Sequence, residues 1–416
     1  MHKKILLKFN KIEKNFGEEF SISKGSLYSL ILNKNFSSRE VSISNVVKNL
    51  FLIFLSLITI LSCKLKKIKI ANYYIIHKNS KKYDNRSKYI LQGFNLNKSL
   101  NIIRCQTFTD SLKIFFLYPN VLFYIPIDFF SSFFLFKKKK ILDNYYILHK
   151  KELRISRILK SIFKFLQIKK FLTIDDQRII QTFLKVCKEL NITSIGYMHY
   201  KFSKYSVAIK YQTFDYFFVW SNYFKKKLIE LNRKYKNKKI IITGYPYKKV
   251  SNKKNKKINI LYLLDLNIDF KNSIKFLKQL NKNKEIEFFL KFKPQHKMSP
   301  QWIKFCQEEK IKYFESESLD YINRCHNIDY FIATISTALL EATLYKAIPI
   351  KLMTNNDFAD DMIKDKIVLK ANNFNDVQKI IKNNNKNKLR IFFSKVWGKK
   401  RYQTKNIKKI LYKIMQ

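Results

Sequence analysis

Glycine and proline are both scarce in this chain, with six of each among 416 residues. So little glycine excludes a glycine-rich loop that binds phosphate. The sequence contains no P-loop, no G-x-G-x-x-G and no G-x-S-x-G. The few cysteines are Cys63, Cys105, Cys187, Cys306 and Cys325. Their scattered spacing predicts neither a disulfide framework nor a cysteine-based metal site, as in a protein of a reducing cytoplasm.

Acidic residues are also few, 30 against 83 lysines and arginines, which leaves a net charge of +53. Such a charge suits an anionic partner: nucleic acid, an anionic membrane surface or a phosphorylated substrate. The excess of Lys, Asn, Ile, Phe and Tyr is also what the codon usage of an A+T-rich genome produces, so lysines that are merely solvated are the alternative. The lysines are spread along the chain without a recognition motif, so no specific nucleic-acid partner is expected.

No apolar run is long enough to predict a membrane span. Residues 50–63, LFLIFLSLITILSC, number 14 where a span needs about 20, and KLKKIK follows them. The aromatic stretch 115–136 is interrupted by prolines and ends in KKKK. Apolar surface beside lysines suits docking on an anionic inner leaflet, and the alternative is that both runs belong to the core. Because the basic N-terminus lacks a long apolar segment, we expect a cytoplasmic protein, peripheral on the inner membrane face.

From residue 68 onward, short apolar runs alternate with amphipathic helical segments. This alternation predicts an α/β protein with two Rossmann-like, doubly wound parallel sheets that face a central cleft. The predicted divisions are a basic and apolar N-terminal region (1–67), an acceptor domain (68–246), a linker (247–257), a nucleotide-donor domain (258–373) and C-terminal helices that pack back on the first domain (374–416).

Small hydroxyl residues follow a predicted strand in the segment TISTALLEATLYKAIPI, residues 334–350. Ligands of doubly wound sheets bind outside the carboxyl ends of the strands. Thr334, Ser336 and Thr337 would let a phosphate approach the N–H groups at the start of a helix, and Glu341 could accept hydrogen bonds from ribose hydroxyls. The alternative is plain helix capping by Ser336 or Thr337, with Glu341 on a solvated face.

Four segments of the chain together resemble glycosyltransferases of the GT-B fold, in particular those of capsule and surface polysaccharides and the CDP-glycerol glycerophosphotransferase-like enzymes. ISTALLEATLYKAIPI resembles their donor-site motif, SIGYMHYKF (194–202) a "QHG"-like turn, IITGYPYKK (241–249) a "GYPR"-like end of the first domain, and FLKFKPQHK (289–297) a "KPHP"-like strand end. The four occur in the family's order. The resemblance implies a transferase that needs no obligatory metal or other cofactor.

The remaining candidate residues also follow predicted strands. His199 is a candidate general base on an acceptor hydroxyl, and Asp175 or Asp176 could be that base or could orient His199; a loop hydrogen bond and a helix cap are the alternatives. Lys293 and His296 suit the phosphates of a nucleotide donor, where charge builds on the leaving group. Gly244, Tyr245 and Pro246 form a hinge turn beside the cleft, or simply a rigid turn.

These residues lead to three functional hypotheses. The first is a transferase that moves a sugar or polyol phosphate from a nucleotide-activated donor to a surface-polysaccharide or lipid-linked acceptor. The second is a nucleotide-sugar 2-epimerase of the same architecture, which needs no acceptor. The third is a non-enzymatic basic protein that binds nucleic acid or membrane.

Overall fold

The computed structural model describes most of the chain. Its described residues are 2–14, 16, 20, 23–32, 43–74, 99–103, 114–117, 141–173, 179–198, 201–245, 256–264, 270–292, 299–315, 317–354, 359–383, 386–398 and 405–415. The two sheets and the helices around them lie within these ranges.

The first half of the chain forms a sheet of seven parallel strands. They are β1 (Ile70–Tyr74), β2 (Leu100–Ile103), β3 (Ile114–Phe116), β4 (Lys170–Thr173), β5 (Thr193–Tyr197), β6 (Tyr216–Val219) and β7 (Lys239–Ile242). Their order across the sheet is β3-β2-β1-β4-β5-β6-β7, and Tyr73 of β1 lies between Ile102 and Thr173 of its two neighbours. Parallel strands need crossover connections, which place helices on the faces of the sheet.

Seven α-helices lie in the described part of this half. They are α1 (His2–Glu13), α2 (Lys24–Leu32), α3 (Ile43–Leu65), α4 (Ile141–Leu166), α5 (Ile180–Glu189), α6 (Val207–Tyr211) and α7 (Asn222–Leu231). Helix α5 shows why these segments are helical: Ile180, Phe183, Leu184 and Cys187 recur at the spacing of one helix face, and all four are buried against the sheet.

The second half forms a sheet of six parallel strands. They are β8 (Ile258–Leu263), β9 (Ile286–Lys291), β10 (Lys312–Phe314), β11 (Tyr330–Ala333), β12 (Ile348–Leu352) and β13 (Leu369–Ala371). Their order is β10-β9-β8-β11-β12-β13. Every residue of β11 and β12 is buried. A strand covered on both faces reads as a continuous apolar run, which is why FIA and IPI predicted strands without alternation.

The described helices of the second half are α8 (Phe270–Asn281), α9 (Pro300–Glu308), α10 (Leu319–His326), α11 (Ala338–Ala342), α12 (Asp361–Lys364), α13 (Phe374–Lys382), α14 (Lys386–Trp397) and α15 (Lys405–Met415). Local signals set several of their ends. The Ser318 hydroxyl accepts the N–H of Tyr321 at 3.2 Å at the start of α10, and Asn327 ends that helix in the left-handed region at φ 45°.

Helix α14 joins the two halves through one aromatic side chain. The ring of Trp397 packs on Trp220, Phe224 and Tyr245 of the first half, with centroid separations of 6.4, 5.9 and 5.4 Å. The Ser221 hydroxyl at the start of α7 donates to the carbonyl oxygen of Val396. The end of α14 is thus part of the core between the sheets.

The predicted fold class is confirmed, because the structure has two doubly wound parallel sheets with flanking helices. The sequence interpretation had not identified β3, β13 or the helices α1, α2, α4, α6 and α9. The apolar run of residues 50–63 lies within the longer helix α3, which has 23 residues. A helix expected over residues 84–94 falls outside the described residues. Among the helices of the described residues, none is long and apolar enough to cross a membrane.

Candidate functional site

The strand order of the second sheet reverses between β8 and β11. From β8 the chain continues outward to β9 and β10, and it then returns to β11 on the other side of β8. In doubly wound sheets the connections on the two sides of such a reversal diverge, and ligands bind in the crevice at the carboxyl ends of the strands. Thr334 is the first residue after β11. The candidate donor turn thus lies at the point of reversal, where this rule places a ligand crevice.

The turn that follows β11 is partly open to solvent. Thr334 is buried, whereas Ser336 and Thr337 are half-buried. The Ser336 hydroxyl accepts the N–H of Ala338 at 3.2 Å, and the Thr337 side chain makes no capping bond. Small side chains and a helix start at a partly exposed turn are the features that let an anion approach backbone N–H groups.

Helix α11 is shorter than the predicted helical run. It has five residues, continues as a 3₁₀ turn (Thr343–Tyr345) and ends at Lys346, whose φ is 62°. A helix this short adds little macrodipole, because that effect sums over aligned peptide groups. Binding of an anion here would depend on individual N–H and hydroxyl groups.

Glu341 lies on the inner side of α11. Its residue exposure is 7%, and its neighbours Leu340 and Ala342 are also buried. A carboxylate on this side is not the solvated helix residue of the alternative interpretation. The role of Glu341 toward a ribose stays a prediction.

Helix α11 is anchored to α14 by a hydrogen bond in the core. The Trp397 Nε1–H donates to the Thr343 Oγ1 at 2.9 Å, and that hydroxyl donates to the carbonyl oxygen of Leu340 at 3.1 Å. A change in the position of α14 would therefore be transmitted to the turn after β11.

The hinge turn of the sequence interpretation has a clear backbone reason for its glycine. Gly244 has φ 78°, in the left-handed region where a side chain is strained. The Tyr245 ring is buried and packs edge-on against Trp220 at 4.7 Å between centroids. The structure therefore uses Tyr245 in packing, and its role beside a cleft stays a prediction.

The strand order of the first sheet also reverses, between β1 and β4. The sequence places two carboxylates directly after β4 and an imidazole shortly after β5. These residues, together with three others of the predicted site, lie outside the described residues: Asp175, Asp176, His199, Pro246, Lys293 and His296. Their roles stay predictions.

A cluster of polar side chains joins the two halves of the protein, and it begins shortly after the end of β5. Lys201, just after β5, has its Nζ 2.5 Å from Asp361 Oδ1 of α12. Asp365, at the end of α12, accepts the Tyr223 hydroxyl at 2.5 Å and the Lys227 ammonium at 3.0 Å, both from α7. We call these five residues the ionic clasp. The clasp connects α12, which follows strand β12, to Lys201, which is two residues after His199 in the sequence.

Burial dominates the electrostatics of the clasp. Burial lowers the pKa of Lys201, against the raising effect of Asp361. Burial also raises the pKa of the Tyr223 phenol, and the hydrogen bond to Asp365 raises it further. Burial lowers the pKa of Lys227, but the carboxylates of Asp365 and Glu230 together outweigh this and the net shift is upward. The interactions are therefore those of a desolvated network and not of a surface ion pair.

Two further lysines at strand ends were missed from the sequence. Lys291 ends β9, and its Nζ donates to the carbonyl oxygens of Phe292 and Glu315, both at 2.7 Å. Lys351 of β12 lies in register beside Ala333 of β11, is fully buried, and has its Nζ 3.4 Å from Asp360 Oδ1. The signal was in the sequence, because each is the one lysine inside an apolar strand, IEFFLK and IPIKL.

Three or more metal-ligating side chains are nowhere grouped within the described residues. The ammonium groups of Lys201, Lys291 and Lys351 are paired within the protein. The turn after β11 presents hydroxyl and backbone N–H donors. Such donors suit an anionic ligand.

Comparisons with known proteins agree with this architecture. No family model matches the chain, and no curated protein matches it. A solved structure of S. aureus MnaA with UDP is similar at a TM-score of 0.50 with 11% identity, over 83% of this chain and 96% of that one. The chain has the GT-B fold. At this identity the likeness establishes the fold alone.

Two other solved structures of this architecture are similar at lower scores. The sucrose-phosphate synthase of Thermosynechococcus elongatus has a TM-score of 0.47 and 10% identity, over 83% of this chain and 98% of that one. The UDP-GlcNAc 2-epimerase of Methanocaldococcus jannaschii has a TM-score of 0.46 and 12% identity, over 83% and 99%.

Proposed function

We propose that this chain is a transferase that uses a nucleotide-activated donor. It would move a sugar or a polyol phosphate to a glycan or lipid-linked acceptor of the cell surface. The observation that carries this proposal is the partly exposed turn of small hydroxyl residues, Thr334 to Ala338, at the point where the strand order of the second sheet reverses. That is the place where the phosphates of a nucleotide fit a sheet of this kind.

On the donor side, the proposed phosphate ligands are hydroxyl and backbone N–H groups of the turn, together with Lys293 and His296, which follow β9 in the sequence. Lys351 lies in register beside Ala333, but its ammonium is paired with Asp360 at 3.4 Å and is not one of these ligands. Positive groups placed where the leaving nucleotide gains charge lower the barrier for breaking its bond to the sugar. No obligatory metal is part of this proposal.

On the acceptor side, His199 is the proposed general base that removes a proton from the acceptor hydroxyl, with Asp175 or Asp176 orienting it. An imidazole has a pKa near neutrality, which suits this role. Lys201 lies two residues after His199 and is held to Asp361 of the other half. The ionic clasp would therefore fix the distance between base and donor.

The known ligand of a protein of this fold supports the nucleotide. MnaA, which is similar over most of the chain, was solved with UDP. UDP-sugars are therefore the first donors to test. The proposed place of the reaction is the cytoplasmic face of a membrane, where a lipid-linked acceptor would be presented.

The test of donor binding is thermal unfolding in the presence of UDP, CDP, CMP, GDP and their sugar or polyol derivatives. We expect one nucleotide family to raise the melting temperature. A ligand at 100 times its dissociation constant adds about 2.7 kcal/mol to the free energy of unfolding. No response to any member of the panel would reject the donor site.

A matched pair of variants locates the site. Thr337→Glu places a carboxylate at the turn, where it repels a phosphate, and we expect it to abolish the thermal response. Thr337→Gln has the same size without the charge, and the response should persist. The Thr337 side chain makes no capping bond and is half-buried, so both variants are expected to fold. An equal response in both would place the nucleotide elsewhere.

Product analysis separates transfer from epimerisation. With donor and acceptor glycan present, His199→Ala should lose transfer and keep the thermal response to the nucleotide. Retained turnover would exclude His199 as the base. Conversion of the nucleotide sugar in the absence of any acceptor would instead identify a 2-epimerase.

A further inference from the structure

Helix α3 has apolar side chains on its solvent side. Eleven large apolar side chains are exposed in the described part of the chain, and six of them lie on this one helix. We call the six the apolar stripe: Leu50, Phe51, Phe54, Leu57, Leu61 and Leu65. The residue exposures run from 47% at Phe51 to 84% at Leu65. At 1.5 Å per residue the stripe is about 22 Å long.

The inner side of the same helix buries two hydroxyl residues among apolar ones, which are Leu52, Ile53 and Cys63. Ser56 and Thr59 are buried with exposures of 0% and 1%, and the Ser56 hydroxyl donates to the carbonyl oxygen of Leu52 at 2.8 Å. An ordinary surface helix has the opposite arrangement, with its polar residues in water. Burying hydroxyls while leucines and phenylalanines face outward is unfavourable in water, so the outer side is suited to an apolar environment.

Lysines surround the end of the stripe. The C-terminal ends of α3 and α4 lie together, since the Lys64 Nζ donates to the Phe165 carbonyl oxygen at 2.7 Å and lies 4.7 Å from the centroid of that ring. Phe165 is itself 46% exposed and extends the stripe. The exposed lysines there are Lys64, Lys66, Lys67, Lys164 and Lys169. Neither residues 41–83 nor residues 153–174 contain an aspartate or a glutamate.

We infer that the apolar stripe is a docking surface for an anionic phospholipid bilayer, in which α3 lies along the membrane plane. The leucines and phenylalanines enter the boundary between headgroups and acyl chains, and the lysines at the end of the helix contact lipid phosphates. Apolar side chains with lysines beside them are the arrangement that binds an anionic bilayer. The inference rests on α3 and α4 alone and is independent of the proposed enzyme activity.

A second copy of this chain fits the surface less well. Each copy has a net charge of +53, and neither of the two segments that form the surface offers a carboxylate to a partner's lysines. Like charges brought together at an interface oppose association. An anionic lipid surface removes that repulsion.

The test is co-sedimentation of the full chain with vesicles, without nucleotide. The vesicles are pure phosphatidylcholine, or phosphatidylcholine with about one third phosphatidylglycerol, in low salt and in 0.5 M NaCl. High salt shortens the screening length to a few ångströms and removes non-specific attraction of the lysines. We expect binding to the anionic vesicles that partly survives 0.5 M NaCl. Complete loss of binding in 0.5 M NaCl would show that the attraction is electrostatic alone, and it would overturn the proposed docking surface.

A matched pair of double variants assigns the salt-resistant binding. Leu57→Asn with Leu61→Asn changes two exposed residues of the stripe and should weaken it by at least about tenfold. Tyr321→Asn with Ile391→Asn changes two exposed apolar residues elsewhere and should leave it unchanged. Equal binding by both pairs would overturn the inference.

Two further measurements locate the helix and exclude self-association. Brominated phosphatidylcholine in the vesicles should quench the fluorescence of the tryptophan introduced by Leu57→Trp. It should not quench the three native tryptophans. No quenching at that position would contradict docking by α3. Sedimentation velocity without lipid should give a monomer. A dimer that Leu57→Asn with Leu61→Asn converts to a monomer would show that the stripe is a protein interface instead.

Discussion

Single lysines inside apolar strands are residues whose chemistry the tertiary structure alters. Lys291 ends β9 and is 7% exposed, so its ammonium exchanges water for two backbone carbonyl oxygens. Burial lowers its pKa from 10.5 to about 8, and Glu317 and Glu315 oppose the shift. Through these two hydrogen bonds the Lys291 ammonium links the end of β9 to the turn after β10. The end of β9 precedes, in the sequence, the segment that contains Lys293 and His296.

The depressed pKa of Lys291 predicts a pH dependence of stability. Between its folded pKa near 8 and its unfolded pKa of 10.5, the unfolded chain binds more protons than the folded one. The contribution of this lysine to the free energy of unfolding therefore rises with pH in that window, by about 2 kcal/mol from pH 7.5 to 9.5. Urea unfolding of the wild type and of Lys291→Met at both pH values measures it.

The comparison with the variant isolates the contribution, because many lysines of this basic chain respond to pH. Lys291→Met should show a smaller rise than the wild type by that amount, whatever its stability at pH 7.5. Lys284→Met, at an exposed lysine just before β9, serves as the matched control and should keep the wild-type rise. An unchanged rise in Lys291→Met would mean that Lys291 is not desolvated.

Helix α14 is one of the elements that join the two sheets. Its last residue, Trp397, contacts the first half through three aromatic rings and the second half through the hydroxyl of Thr343. Aromatic pairs of this kind add to the free energy gained by burial. Because Thr343 follows α11 directly, the same contact positions the candidate donor turn.

Trp397→Ala should destabilise the protein and uncouple its halves. Removing a buried tryptophan costs about 3–5 kcal/mol. Since the lost contacts cross between the sheets, we expect one calorimetric unfolding transition in the wild type and two in the variant. Ile391→Ala, on an exposed side of the same helix, should change stability by no more than about 0.5 kcal/mol. A single, merely shifted transition in Trp397→Ala would show that other contacts couple the halves.

At the scale of the whole molecule, two features act on the gap between the sheets: the ionic clasp and the net charge of +53. The charge favours expansion, because like charges repel within a compact chain. The clasp opposes it with carboxylates from α12, which are valuable in a chain that has only 30 acidic residues. The two partners of its central pair differ in burial, with side-chain exposures of 3% for Lys201 and 22% for Asp361.

This difference predicts unequal effects of breaking the pair. Asp361→Asn leaves a buried ammonium without its carboxylate and should cost about 3–5 kcal/mol, whereas Lys201→Met leaves a carboxylate that water reaches and should cost less. In the double variant the losses should not add, which a double-mutant cycle measured by urea unfolding detects. Strictly additive effects would mean that the two side chains do not interact in solution.

The sequence allowed the sheets to be predicted because their strands are buried on both faces. Runs such as INILYL and IPIKL are apolar without alternation and are separated by helical periodicity, which indicates parallel strands regardless of their partners. Helix α4 was missed although Ile155, Leu159 and Phe163, all buried, recur at the spacing of one helix face, so this omission was one of interpretation.

For the candidate site, the sequence indicated where residues lie along the strands, but not which way their side chains point or which residues they contact. The hydroxyl residues after β11 were predicted at the edge of a sheet, and they lie there. That Glu341 points inward, or that Lys201 meets Asp361 across 160 residues, follows from packing between distant segments, which local patterns do not encode.

The sequence by itself determined the alternation of strands and helices, the scarcity of glycine that excludes phosphate loops, and the charge that favours anionic partners. Those properties depend on neighbouring residues and on composition. Only the tertiary structure decided which leucines of α3 are exposed to water and which lysines are buried away from it. It also decided how α14 and the ionic clasp join the two sheets. Those outcomes depend on which surfaces meet when the chain is compact.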